Sequence, residues 1–101
     1  MRLLYSFRFQ QIGETYLGAA IGQNAHLFNG VLQLNEVGHF IVSELAELTE
    51  RMSPDSTDLT EEQILSSLTD SLTKEYAVDH STAQTAVQNV LNYLKAEQVL
   101  A

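Results

Sequence analysis

The sequence predicts an α+β fold of a winged-helix-like kind, a small three-stranded antiparallel sheet followed by three helices packed to one side of it. Three observations carry this expectation. Tyr5, Phe7 and Phe9 alternate with Ser6, Arg8 and Gln10, the period of two that a half-buried strand shows. Two more extended runs follow, each with a glycine-bearing turn near its start. Beyond Asn35, apolar residues recur three and four positions apart, the period of amphipathic helices. The 101 residues suffice for one domain with a single core and are too few for two.

Gly13-Glu14 separates the first strand from a second, Thr15–Ile21, and glycine first in a two-residue loop suits a type II′ hairpin. Gly22-Gln23-Asn24 reads as a loop, and Asn29-Gly30 as a second turn leading into strand Val31–Leu34. The sheet therefore covers about residues 5–34. Asn35 is a good N-cap, since its side-chain oxygen can accept from an early helix N–H. The first helix then runs over about 36–51, with Val37, Ile41, Leu45 and Leu48 on its buried stripe. Met52–Asp58 is dense in turn formers and is expected to be a mobile loop. Thr60-Glu61-Glu62-Gln63 matches a capping box at the head of a second helix, about 60–76, burying Ile64, Leu65, Leu68 and Leu72. Asp79 is placed to cap a third, about 80–96, burying Ala83, Ala86, Val87, Val90, Leu91 and Leu94. Ala83, Val87, Val90 and Leu94 fall at the centre of that face, and Val99 and Leu100 are expected to fold back onto the core.

Apolar residues make up 45% of the chain and charged ones 18%, a globular rather than disordered composition. There is no apolar run of transmembrane length and no signal-peptide h-region, so the expected compartment is the cytoplasm and no membrane partner is expected. Without cysteine, neither a disulfide nor a thiolate metal site is possible. Thirteen acids face five Lys and Arg, for a formal net charge of −8, and 12 of those acids lie beyond residue 35. A nucleic-acid partner would need cations against its phosphates, so none is expected. The acidity serves solubility or steers a mildly cationic partner.

His26, His39 and His80 share no metal-ligand spacing, so no metal site is expected, and structural or surface roles suit them better. No Gly-rich phosphate loop or nucleophile elbow is present. Glu44, Glu47, Glu50, Glu61 and Glu62 read as solvated helix carboxylates, so neither catalytic residues nor a cofactor is expected. The outer face of the third helix is unusual in so acidic a chain: Gln84, Thr85, Gln88, Asn89 and Asn92 are all neutral and polar. Amides both donate and accept, which suits a peptide as well as it suits water.

The junction Leu34-Asn35-Glu36-x-Gly38-x-x-Ile41, preceded by Asn29-Gly30-Val31-Leu32-Gln33, resembles the PqqD-like family of small peptide-binding domains, the RiPP recognition elements. The likeness continues through Thr60–Ile64, Tyr76–Asp79 and the C-terminal Val87, Val90, Leu91, Leu94, Lys95, Val99 and Leu100, over roughly residues 15–100. Two features depart from the family pattern: the long polar loop from Met52 to Leu59, and Ala96-Glu97-Gln98 where the family often has a glycine before the last apolar pair. The resemblance implies a non-catalytic domain that binds the leader of a ribosomally made precursor peptide. It then presents that peptide to a modifying enzyme, often a radical SAM protein. The leader would add as a strand beside Val31, Leu32, Gln33 and Leu34 and lie against Thr85, Gln88, Asn89 and Asn92. On this reading a charge or a proline at Leu32 weakens peptide binding and leaves the domain folded. Two alternatives stay open: a winged-helix DNA-binding regulator, and a permanent structural subunit of an enzyme. Either a monomer or a homodimer fits the sequence.

Overall fold

The computed structural model describes residues 3–22, 25–28, 30–50 and 60–100, with residues 49 and 50 described by their backbone alone. It shows the expected α+β order. Strands β1 (Ser6–Ile12), β2 (Thr15–Ile21) and β3 (Leu32–Leu34) form one antiparallel sheet in the order β1-β2-β3. A 3-10 turn, Ala25–Leu27, lies between β2 and β3. Helices α1 (Glu36–Glu50), α2 (Glu61–Tyr76) and α3 (His80–Ala96) follow. The expected Asn29 turn position and the Met52–Asp58 loop lie outside the described residues.

Ile12 pairs with Thr15, so the hairpin turns over Gly13 and Glu14 alone. Of the two, only Gly13 has a positive φ, 62°, as a type II′ turn requires. The register sets Phe9, Gly18 and Leu32 in one row across the inner face and Tyr16 beside Leu34 in the next. Gly18 is required by close approach: a Cβ there would stand 2.5 Å from Cε1 of the Phe9 ring.

Two of the three helix starts are capped as the sequence implies. Asn35 Oδ1 accepts from the Gly38 N–H at 2.7 Å. Thr60 Oγ1 accepts from the Gln63 N–H and Gln63 Oε1 from the Thr60 N–H, at 3.2 and 2.9 Å, the two halves of a capping box. Asp79 occupies the N-cap position of α3, yet its side chain makes no capping bond.

The core lies between the inner face of the sheet and the three helices. Ile41, Leu45, Ile64, Leu68, Leu72, Val87, Leu91 and Leu94 are buried, as the periodicity implies. Val42 joins them, so the apolar stripe of α1 is wider than expected, while Val37, Leu48, Leu65, Ala86 and Val90 sit half-buried at the core's margin. Val90 is thus a shoulder rather than a centre of its face. The tail folds back: Val99 and Leu100 are buried, Leu4 N–H donates to Val99 O at 2.9 Å, and Leu3 bridges Leu100. This return requires Gln98 to take φ 62°, a left-handed conformation that glycine would adopt more readily.

Candidate functional site

The third strand is an edge of the sheet. On one side β3 pairs with β2, Leu32 opposite Gly18 and Leu34 opposite Tyr16. Backbone groups alternate in direction along an antiparallel strand, so Gln33, between those two, presents its N–H and C=O on the other side. The hydrogen bonding agrees: the Gln33 N–H donates to the Tyr93 hydroxyl of α3, at 3.0 Å. The Tyr93 side chain thus links α3 to the edge of β3. Among the described residues, no further strand pairs with this short edge, and Tyr93 of α3 stands against it.

The same alternation sorts the four residues assigned to this wall. Leu32 and Leu34 turn their side chains into the core, with 0% and 6% of their surface exposed. Gln33 is exposed, and Val31 leaves 50% of its surface to solvent. Val31 and Gln33 are therefore the side chains an added strand would meet. Leu32 gives this edge neither its side chain nor its N–H, and the expectation that it tolerates a charge without unfolding is overturned by its complete burial.

On α3, spacing at 100° per residue places Tyr93 on one strip with Thr82, Ala86 and Asn89, with Thr85 at its shoulder. The Tyr93 end of this strip meets the β3 edge, where the phenol touches Gln33. Gln88 and Asn92 lie further round the helix. Gln88 Nε2 donates to Asn92 Oδ1 at 3.1 Å, and Gln88 lies on the side of the Glu61 carboxylate at the start of α2. Lys95 forms an ion pair with that same carboxylate. A hydrogen bond from Lys95 holds the Glu61 carboxyl below its ordinary pKa, with Gln88 adding to the effect. The structure thus joins Gln33 to Tyr93, with Val31 exposed beside Gln33 and Asn89 one turn before Tyr93 on the same strip; Thr85 and Asn92 lie within about 20° of each other on the outward face of the helix, and Gln88 lies furthest round, towards α2. Tyr93 was missed from the sequence, although its spacing of four from Asn89 marks it as a neighbour on one face.

The edge carries no formal charge. Val31, Gln33, Thr82, Thr85, Ala86, Asn89 and Tyr93 include no Asp, Glu, Lys, Arg or His. Such a surface offers backbone and amide hydrogen bonds, an apolar contact at Val31 and a phenol, and no group suited to acid–base work.

A second depression, about 440 Å³, lies at the hairpin end of the sheet between Gln11, Gly13, Glu14 and Tyr16 on one side and Asn35, Glu36 and Val37 on the other. Behind Tyr16, the His39 ring stacks on the phenol at 4.2 Å and meets Phe9 edge-on at 4.8 Å. Burial pushes the His39 pKa down. Burial raises that of Tyr76, and the Glu36 and Glu75 carboxylates add to the rise. Among the described residues, no group of three or more His, Asp or Glu is placed to hold a metal ion, and no helix is long and apolar enough to cross a membrane.

No protein-family model and no curated protein matches this chain. Among solved structures it is similar to TbiB1, determined in complex with the TbiA(beta) leader peptide. The two chains are 21% identical, the match covers 99% of this chain and 94% of TbiB1, and the TM-score is 0.60. At this identity the likeness is one of fold.

Proposed function

We propose that this protein binds the leader region of a ribosomally made precursor peptide by strand addition at the open edge of β3, and presents it to a modifying enzyme such as a radical SAM protein. It performs no chemistry of its own and needs no cofactor. The observation that carries this reading is the outward-facing Gln33 backbone, set opposite the uncharged strip of α3. An added strand takes its affinity from backbone hydrogen bonds and its specificity from the side chains flanking them. Val31 and Gln33 from β3, with Thr85, Ala86 and Asn89 from α3, supply those flanks. The likeness to TbiB1, a protein solved with a leader peptide bound, supports the same reading. The charge of α3 argues against DNA. Its one Lys or Arg, Lys95, is already paired with Glu61, whereas a helix reading the major groove needs several free cations.

The test is a fluorescence-anisotropy titration of the protein into a labelled synthetic peptide, the N-terminal part of the small open reading frame nearest its gene. Saturable binding at micromolar affinity or better, about −8 kcal/mol, is expected. A Gln33→Pro variant, which removes the outward donor and leaves the Leu32 and Leu34 ladder to β2 in place, should stay folded and lose binding. Undiminished binding by that variant would rule out strand addition. No binding by the folded wild-type protein would favour a permanent enzyme subunit.

A further inference from the structure

The outward donor of β3 is already occupied. Within the strand, Leu32 and Leu34 turn their N–H groups to β2, which leaves Gln33 as the residue whose N–H can meet an incoming peptide. That N–H is held by the Tyr93 hydroxyl at 3.0 Å. An extended peptide laid along this edge must offer a carbonyl oxygen to the same N–H. A single N–H makes one well-aligned hydrogen bond at a time, so the phenol and the peptide carbonyl compete for it.

We propose that Tyr93 is a displaceable cap on the β3 edge: its hydroxyl holds the Gln33 N–H in the resting protein and leaves it when a peptide strand adds. This rests on the strand-addition reading above and names the residue that regulates that site. The chemistry suits the task. An open sheet edge is a template for unwanted pairing, including with a second copy of the same chain, and proteins blunt such edges. A phenol accepts from the backbone N–H as a carbonyl would, but its far end is tethered to a helix and cannot extend the ladder. The Tyr93 ring is only partly buried at the margin of the core, so rotation of the side chain can carry the hydroxyl off the edge without the helix moving. Once displaced, it bonds water instead, and the net loss is that of one exchangeable hydrogen bond.

The consequence runs opposite to that of an ordinary contact residue. Removing the hydroxyl takes away the competitor and makes peptide binding tighter. Tyr93→Phe retains the packed ring and should fold as the wild type does. With the labelled peptide named above as probe, Tyr93→Phe should bind between about twofold and tenfold more tightly than wild type. In the absence of peptide, the Gln33 amide should exchange its hydrogen faster in Tyr93→Phe than in wild type. With saturating peptide, the two proteins should protect that amide equally. Weaker or equal peptide affinity in Tyr93→Phe overturns the displacement, and so does unchanged Gln33 exchange in the free variant. Wild type that binds while Tyr93→Phe binds no better leaves strand addition standing and removes only the cap. Failure of both proteins to bind, with the exchange difference intact, removes the peptide-binding function and the displacement with it.

Discussion

The imidazole of His39 lies flat on the phenol of Tyr16, ring centroids 4.2 Å apart and planes 8° from parallel, and so ties α1 to the hairpin. Burial disfavours the imidazolium there and lowers the pKa. In the unfolded chain the ring protonates near its ordinary value, and in the folded one only at lower pH. Between the two, the unfolded state holds more protons, so stability falls as pH falls through that window and is fully present above it. Melting at about pH 7.5 and about pH 5 should show a larger loss in wild type than in His39→Phe, which keeps an aromatic ring but cannot titrate. Equal losses would show that His39 takes no part in the acid sensitivity.

Leu32 and Gln33 are neighbours with opposite duties. Leu32 is wholly buried, and Gln33 presents its backbone outward. Leu32→Ala should therefore destabilise the fold by about 2–5 kcal/mol, and Leu32→Asp should prevent folding. Gln33→Ala, which keeps the backbone N–H, should change stability by less than about 0.5 kcal/mol, since it alters an exposed side chain. Urea melts of the three variants separate these outcomes. A well-folded Leu32→Asp protein would contradict the inward placement of this side chain.

The parts of the fold legible in the sequence are those written within three or four residues. Asn35 with Gly38 and Thr60 with Gln63 are contacts between near neighbours, and both form as the residue types imply. The Leu-Gln-Leu alternation at 32–34 was equally legible and already places the two leucines on one face. Leu32 and Leu34 therefore belong to the core face of the strand, and Gln33 to the opposite one. The roll of α3 about its own axis is not written locally. Thr85, Gln88, Asn89 and Asn92 span an arc of about 100° of similar polarity. Which half of that arc meets β3 depends on distant packing, and on a bond from Tyr93 to a residue 60 positions away. The left-handed turn at Gln98 is foreshadowed, because the resembled family often places a glycine near that point.

That turn can be tested directly. Gln98 is exposed and holds φ 62°, where a side chain costs about 1–2 kcal/mol that glycine avoids. Glycine also has more freedom to lose on folding, by about 0.5–1 kcal/mol, so the net gain is smaller. Gln98→Gly should raise stability by a few tenths to about 1 kcal/mol in urea melts. A clear loss would mean that the Gln98 side chain makes a stabilising contact.

Gly18 and Phe9 are coupled by contact. A Cβ at residue 18 would sit 2.5 and 2.9 Å from two Phe9 ring carbons. The ring cannot easily retreat, since it packs edge-on against His39 and lies 6.2 Å from the centre of Phe7. Gly18→Ala should cost about 1–3 kcal/mol through overpacking. In a Phe9→Leu background the same change should cost much less, giving a coupling of at least about 0.5 kcal/mol in a double-mutant cycle. Additive effects would show that the ring moves aside freely.

The orientation of α3 gives the sharpest test of where the peptide lies. Asn89 shares the strip of Tyr93, whereas Gln88 bonds Asn92 and lies towards Glu61 of α2. The two residues are adjacent in sequence, both polar and uncharged, and differ by 100° around the helix. Replacing each in turn by arginine adds the same bulk and charge to the two sides of one helix. Asn89→Arg should reduce leader-peptide affinity by more than about tenfold, a penalty above about 1.4 kcal/mol. Gln88→Arg should leave affinity within about threefold, because its side chain faces a carboxylate outside the groove. The reverse order, with Gln88 sensitive and Asn89 indifferent, would move the peptide to the α2 side of the helix and detach it from the β3 edge.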